Sequence, residues 1–185
     1  MIVLLLVIVG VVVIVAIIIG AYNGLIRRRN QIENAWSQID VQLKRRLDLI
    51  PNLVETVKGY AAHEGETLED VISARNAAIQ APNTPDGQAA VSNKLEGALG
   101  KLFALSESYP DLKANQNFLQ LQEELTTTEG RVAYSRQFYN DSVFDYNNKL
   151  EEFPTVLLAN AMKFERSEYF EAEEAARTSP SIGFG

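Results

Sequence analysis

The chain has 185 residues, 46% of them hydrophobic, with no cysteine, one histidine and a formal net charge of −7. The missing cysteine excludes disulfides, thiolate metal ligands and a cysteine nucleophile. The acidic balance argues against a nucleic-acid partner, because phosphate contact needs clustered lysine and arginine.

Everything else is organised around the apolar stretch 1–21, which holds no charged residue and no proline. About 20 apolar residues in helical rise span a bilayer core of ~30 Å. Lipid offers the backbone no partners, so such a stretch must be helical despite its valines and isoleucines. It reads as a retained transmembrane anchor and not a cleaved signal peptide. Nothing basic precedes Ile2, and the run is too long for a signal core. Ala16, Gly20 and Gly24 form a small-residue row that lets two anchors approach closely. Arg27, Arg28 and Arg29 follow directly and are expected at the membrane surface, against anionic headgroups. Positive charge stays on the cytoplasmic side, so the rest of the chain is expected in the cytoplasm.

Residues 22–60 read as one helix continuing out of the membrane. Trp36, Leu43, Ile50 and Val57 recur in heptads, beside a companion row of Ile32, Ile39, Arg46, Leu53 and Tyr60. Two such rows make a seam of the coiled-coil type, which only Arg46 interrupts. Pro51 removes one backbone donor, but the seam continues past it, so a bend is expected and not a break. A second helix over 67–81 turns Leu68, Val71, Ile72, Ala78 and Ile79 inward, with Arg75 packing its stem on the same stripe while its head reaches water. Residues 81–87, rich in Pro, Asn, Asp and Gly, read as loop. A third helix over 88–107 carries Val91, Leu95, Leu99, Leu102 and Phe103, and Ser108-Tyr109-Pro110-Asp111 is a second turn.

The fourth helix partners the first. Phe118, Leu125, Val132, Tyr139, Tyr146 and Phe153 recur in heptads, beside the mostly small row Leu121, Thr128, Ser135 and Ser142. Large residues on one row and small ones on the next let helices interlock. The aromatics of this row are expected in the core. Pro154 ends the helix, and a short fifth helix follows with Val156, Leu157, Ala161 and Phe164 on its inner side. The expected fold is all-α: an anchor over 1–21, an antiparallel up-down helical bundle over 22–177 and a flexible tail over 178–185.

No chemistry stands out. His63 is the sole histidine, so neither an HExxH zinc site nor a di-iron bundle can be assembled. No phosphate loop or nucleophile elbow occurs, and no catalytic residue, metal ligand or cofactor is expected. Glu123-Glu124 and Glu151-Glu152 are adjacent pairs that read as solvated face. Arg46 has two readings: its head reaches water, or it bridges to Glu129 or Glu124 on the fourth helix and fixes register. The run containing Asp40, Lys44, Arg45, Arg46 and Asp48 is either a solubilising face, with Asp40 and Lys44 paired, or a partner-binding and self-association surface. Asn140 and Asn147, one heptad apart, are placed to bridge to another helix.

The segment from Ala35-Trp36-Ser37-Gln38 through Lys44-Arg45-Arg46 to Asp48-Leu49-Ile50-Pro51-Asn52 closely resembles the LemA family. So do Tyr109-Pro110-Asp111-Leu112-Lys113-Ala114, Leu121-Gln122-Glu123-Glu124-Leu125 and the span from Tyr139-Asn140 to Tyr146-Asn147. Near the end the chain departs from the family, with Met162-Lys163-Phe164 ahead of Tyr169-Phe170-Glu171. The resemblance implies a single-pass protein of the bacterial inner membrane with an antiparallel bundle and no established enzymatic activity. The anchor, the long rigid helix and the missing active site point to a self-associating homo-oligomeric scaffold, with the alternative of an adaptor that binds a membrane-protein partner such as a protease through the face around Arg45 and Asp48 or the loop at 81–87.

Overall fold

The computed structural model describes residues 1–170, all helix and connection among those residues, with no strand. Six helices follow one another: α1 Ile2–Lys58, α2 Gly65–Gln80, α3 Pro85–Ser106, α4 Pro110–Lys113, α5 Gln116–Glu151 and α6 Thr155–Met162. The expected tail over 178–185 lies outside the described residues, as does 171–177.

The chain forms two compact units. The first comprises Met1–Gln38 and Ser135–Tyr169, and so holds the apolar stretch of α1, the second half of α5, and α6. Its core is Leu25, Ile32, Ala35, Tyr139, Val143, Tyr146 and Leu150, all buried. Ser135 and Ser142 are buried with them, the small partners that a close helix approach needs. Trp36 of α1 meets Tyr139 of α5 edge to face, ring centroids 5.6 Å apart. Arg29 of α1 lies beside Tyr146 of α5. Rising numbers on α1 thus meet falling numbers on α5, so the two run antiparallel in this unit.

The second unit is Ile39–Tyr134 with Phe170. An aliphatic core gathers Ile50, Leu53 and Val57 of α1, Leu68 and Val71 of α2, Leu95 and Leu102 of α3, Leu112 of α4, and Phe118 and Leu125 of α5. The antiparallel sense recurs here: Arg46 pairs with Glu129, and Tyr60 accepts from Asn115 Nδ2 at 2.9 Å. Tyr60 lies past the end of α1 and is exposed, so the companion row stops at Leu53.

Pro51 does not break α1. A proline at this position leaves the Leu47 carbonyl, four residues back, without its helical donor. Arg75 of α2 fills the gap: its Nε donates to the Leu47 oxygen at 2.9 Å. Arg75 is partly buried, and its head, expected in water, instead serves the backbone of α1.

Three helix ends differ from the sequence reading, each for a local reason. α3 begins at Pro85 and not at 88. Thr84 Oγ1 accepts from the Gly87 amide at 3.2 Å, and Pro85, which has no amide to leave unpaired, takes the first helical position. Gly87 is required there, since a Cβ would sit 2.7 Å from the Pro82 carbonyl oxygen. Pro110–Lys113 closes one helical turn, and Asn115 Oδ1 caps α5 by accepting from the Phe118 amide at 3.0 Å. α6 ends with Lys163 in the left-handed region at φ 55°, and the Phe164 amide donates back to the Ala159 carbonyl at 3.0 Å.

Three burial expectations are corrected. Ile72 and Ile79 of α2 are 43% and 54% exposed, because α2 buries only the narrow stripe of Leu68, Val71 and Ala78. Phe153, the last member of the α5 heptad row, is 79% exposed, because the helix ends at Glu151 and the row leaves the seam. In α6 the buried side chains are Thr155 and Ala159, whereas Leu157 is 65% exposed.

Candidate functional site

α1 carries the most unusual side chain of the second unit. Arg46 occupies a seam position of the heptad pattern, and its residue is 2% exposed, so its head does not reach water. Its Nη1 donates to Glu129 Oε2 of α5 at 2.6 Å, and its Nη2 donates to Ser92 Oγ of α3 at 2.7 Å. A buried guanidinium is tolerable only when paired and hydrogen-bonded. Here one side chain ties α1 to both α5 and α3. Glu129 is one-third exposed, so its carboxylate keeps some water. A recess of about 210 Å³ opens beside the pair, lined by Leu99, Gly100, Phe103 and Leu125. Glu129, one of two partners offered by the sequence, takes Arg46. Glu124 takes the neighbouring Arg45 at 3.8 Å, on the exposed side. Ser92 carries almost no signal in the sequence. A serine within an apolar stripe is its only trace, and that pattern is common to many helices.

The rest of the charged run faces solvent. Asp40, Lys44, Arg45 and Asp48 are exposed, and among the described residues no ion pair joins Asp40 to Lys44. Arg27 and Arg29 are exposed and Arg28 partly so, with Arg29 3.5 Å from Glu33. His63 is exposed in the connection between α1 and α2. Among the described residues no three His, Cys, Asp or Glu side chains gather to hold a metal ion. The adjacent glutamates lie along the surface, where Glu151 meets Arg166 at 2.9 Å and Glu152 meets Lys149 at 2.7 Å. The Lys149 hydrogen bond and charge hold the Glu152 carboxyl below its ordinary range.

The first unit contains a second polar arrangement. After α6 the chain returns along α5 without helix, and α5 side chains hold its backbone. Tyr146 donates its hydroxyl to the Glu165 carbonyl at 3.1 Å, and Tyr139 donates to the Glu168 carbonyl at 2.9 Å. Asn147 clasps Ser167 from both sides: Nδ2 donates to the Ser167 carbonyl at 3.0 Å, and Oδ1 accepts from its amide at 2.9 Å. Asn147 therefore bridges to an extended segment and not to another helix. Burial pushes the Tyr146 phenol up, with the positive charge of Arg29 pulling the other way. The heptad repeat of Tyr-Asn marks this clasp in the sequence, but nothing in it names the strap as the partner.

A family profile described as the LemA family matches residues 35–184. The chain is similar to Protein LemA of Metamycoplasma hominis, 28% identical over 159 residues, covering 86% of this chain and 73% of that protein. It is also similar to Magnetosome protein MamQ 2 of Paramagnetospirillum magneticum, 25% identical over 194 residues, covering 91% of this chain and 71% of the relative. Magnetosome protein MamQ of Magnetospirillum gryphiswaldense matches at 24% identity, with the same coverage on both sides.

Proposed function

Since the chain belongs to the LemA family and is membrane-associated, we propose that it is a membrane-anchored helical scaffold. In this reading it self-associates and organises proteins or lipid at the bacterial inner membrane, and it works by contact and not by catalysis. The observation that carries the reading is α1. One uninterrupted helix begins with a stretch long and apolar enough to cross a membrane and continues into the packed seam of the helical units. A chain built this way holds its bundle at a membrane without a flexible linker between the two. Arg27, Arg28 and Arg29 at the end of the apolar stretch favour a cytoplasmic bundle. Digestion of the bundle by protease added outside intact spheroplasts would reverse that orientation.

Light scattering on the detergent-solubilised full chain tests self-association. A discrete assembly of several copies supports the scaffold. A monomer that captures another membrane protein supports a second reading, an adaptor for a partner such as a membrane protease. The observation favouring the adaptor is the exposed set Asp40, Lys44, Arg45 and Asp48 on one helix of the second unit. Crosslinking from those positions in cells, followed by identification of the crosslinked species, separates the two: this chain itself, or a different protein.

A further inference from the structure

α6 is built the wrong way round for a helix in water. Its buried side chains are Thr155 and Ala159, small or polar. Among its large apolar ones Val156 and Leu158 are half-buried, whereas Leu157 is 65% exposed and Met162 50%, and Phe153 just ahead of it is 79% exposed. A helix on a soluble surface does the reverse. The neighbour of this outward face explains it. Phe153 and Leu157 share one apolar groove with Ile14, Ile17, Ile18 and Ala21 of α1. Those α1 residues belong to the stretch that is long and apolar enough to cross a membrane. From Ile14 to Ala21 the helix rises by about 10 Å, roughly the last third of a ~30 Å hydrocarbon core. An element at that level is surrounded by acyl chains.

The flanks fit the same placement. Before α6, the Lys149–Glu152 pair closes the end of α5. After it, Lys163 is exposed and Phe164 meets Tyr22 edge to face at 6.1 Å, beside the arginine row. Aromatic and basic side chains of this kind collect where hydrocarbon gives way to headgroups. Several backbone groups between the flanks are paired, as a dry environment favours. Pro154 has no amide. The Val156 amide donates to the Glu152 carbonyl at 2.8 Å, the Leu157 amide to the Pro154 carbonyl at 3.2 Å, and the Phe164 amide to the Ala159 carbonyl at 3.0 Å.

We propose that residues 153–162 are a second membrane-inserted element, a shallow re-entrant helix beside the spanning stretch of α1, whose apolar face is covered by lipid acyl chains. The proposal rests on the reading that α1 crosses the membrane. The chain has no cysteine, so single-cysteine variants carry one nitroxide label each. Leu157→Cys and Met162→Cys probe α6, and both sites are exposed, so neither label displaces core. Ile8→Cys serves as the reference in the span and Ile72→Cys, exposed on α2, as the reference in water. Full-length variants are reconstituted in vesicles of phosphatidylcholine and phosphatidylglycerol. Collision with dissolved oxygen is then compared with collision with the aqueous nickel ethylenediamine diacetate complex. The expected result is that both α6 sites lose collision with the nickel complex and keep collision with oxygen, as Ile8→Cys does and Ile72→Cys does not. Nickel access at both α6 sites, with Ile8→Cys protected, overturns the proposal and leaves the anchor reading standing. Nickel access at Ile8→Cys as well overturns both. Shielding from both reagents together with dipolar broadening between labels means that a second copy of the chain covers the face, and it also overturns the proposal.

Discussion

Around Ile50, Leu53, Leu95 and Leu102 the chain closes on aliphatic carbon, and a single arginine is admitted to the packing. Around Tyr139, Tyr146 and Asn147 it closes on hydrogen bonds to the backbone of a returning segment. The two units therefore use the same pair of helices in different ways. In the second, additional helices supply the third side of the core. In the first, no further helix of comparable length is present, and a non-helical strap held by side-chain donors takes that place. Apolar burial is tolerant of small shifts, whereas a two-sided amide clasp holds one register and no other. The first unit is accordingly the one in which single polar substitutions should act locally, and the second the one in which they should act globally.

The largest effect is expected from emptying the aliphatic unit. Phe118 is 1% exposed, and Phe118→Ala should cost about 3–5 kcal/mol, read as a lower urea midpoint by far-ultraviolet circular dichroism. Trp36, the sole tryptophan, belongs to the other unit, so its emission tests how far that damage spreads. Both α1 and α5 contribute to both units without interruption, and the two midpoints should fall together. A Trp36 midpoint that stays in place would separate the units.

Next comes the arginine. Arg46→Ala removes the ties to Glu129 and Ser92 and the packed stem. Breaking a buried pair costs ~3–5 kcal/mol when the partner is left dry, and the partial hydration of Glu129 lowers that to about 2–3 kcal/mol. Arg46→Met keeps most of the stem and should recover at least half of the loss. Arg46→Met more stable than the natural chain would show that the buried ion pair costs stability relative to an apolar side chain, and would count against the register reading. Smaller again is the clasp. Asn147→Ala gives up both bonds to Ser167, about 1–3 kcal/mol. Its signature should be local: the Ser167 amide passes from slow to fast hydrogen exchange, while amides around Leu102 stay protected. The smallest effect belongs to the exposed Lys149–Glu152 pair. The Glu152 carboxyl is held below its ordinary value of 4.5, so its contribution is present above that value and is lost as pH falls through the lowered one. Glu152→Gln should melt slightly below the natural chain at neutral pH, with the difference vanishing in acid.

The heptad rows of α1 and α5 were open to a sequence reader because apolar periodicity reports helix and inner face at once. Arg46 stood out for the same reason, as a charge on an apolar row, and Glu129 lay within a short choice of partners. Pro85-Asp86-Gly87 has the composition of a turn, which hides the start of α3 from a sequence reader. Only the Thr84 oxygen, bonded to the Gly87 amide, shows that these residues are already helical. Ile72 and Ile79 misled because apolarity says that a residue can be buried, not that a neighbour exists to bury it. Phe153 continued a heptad row past the point where its helix ended. The strap on Tyr139, Tyr146 and Asn147 was hidden most deeply. Its acceptors are backbone atoms, which every residue possesses and no sequence pattern distinguishes.

Pro51 sits inside α1 without interrupting it. By withholding its own amide it leaves the Leu47 oxygen open, and a guanidinium from α2 occupies it. The imino acid thus works as a keyhole cut into the wall of α1, and Arg75 is the bolt that enters it. Restoring the amide with Pro51→Ala would make α1 more self-sufficient and would set a competitor against the bolt. The expected outcome is a longer-lived helix with a looser α2, a trade between the firmness of one part and its attachment to the next.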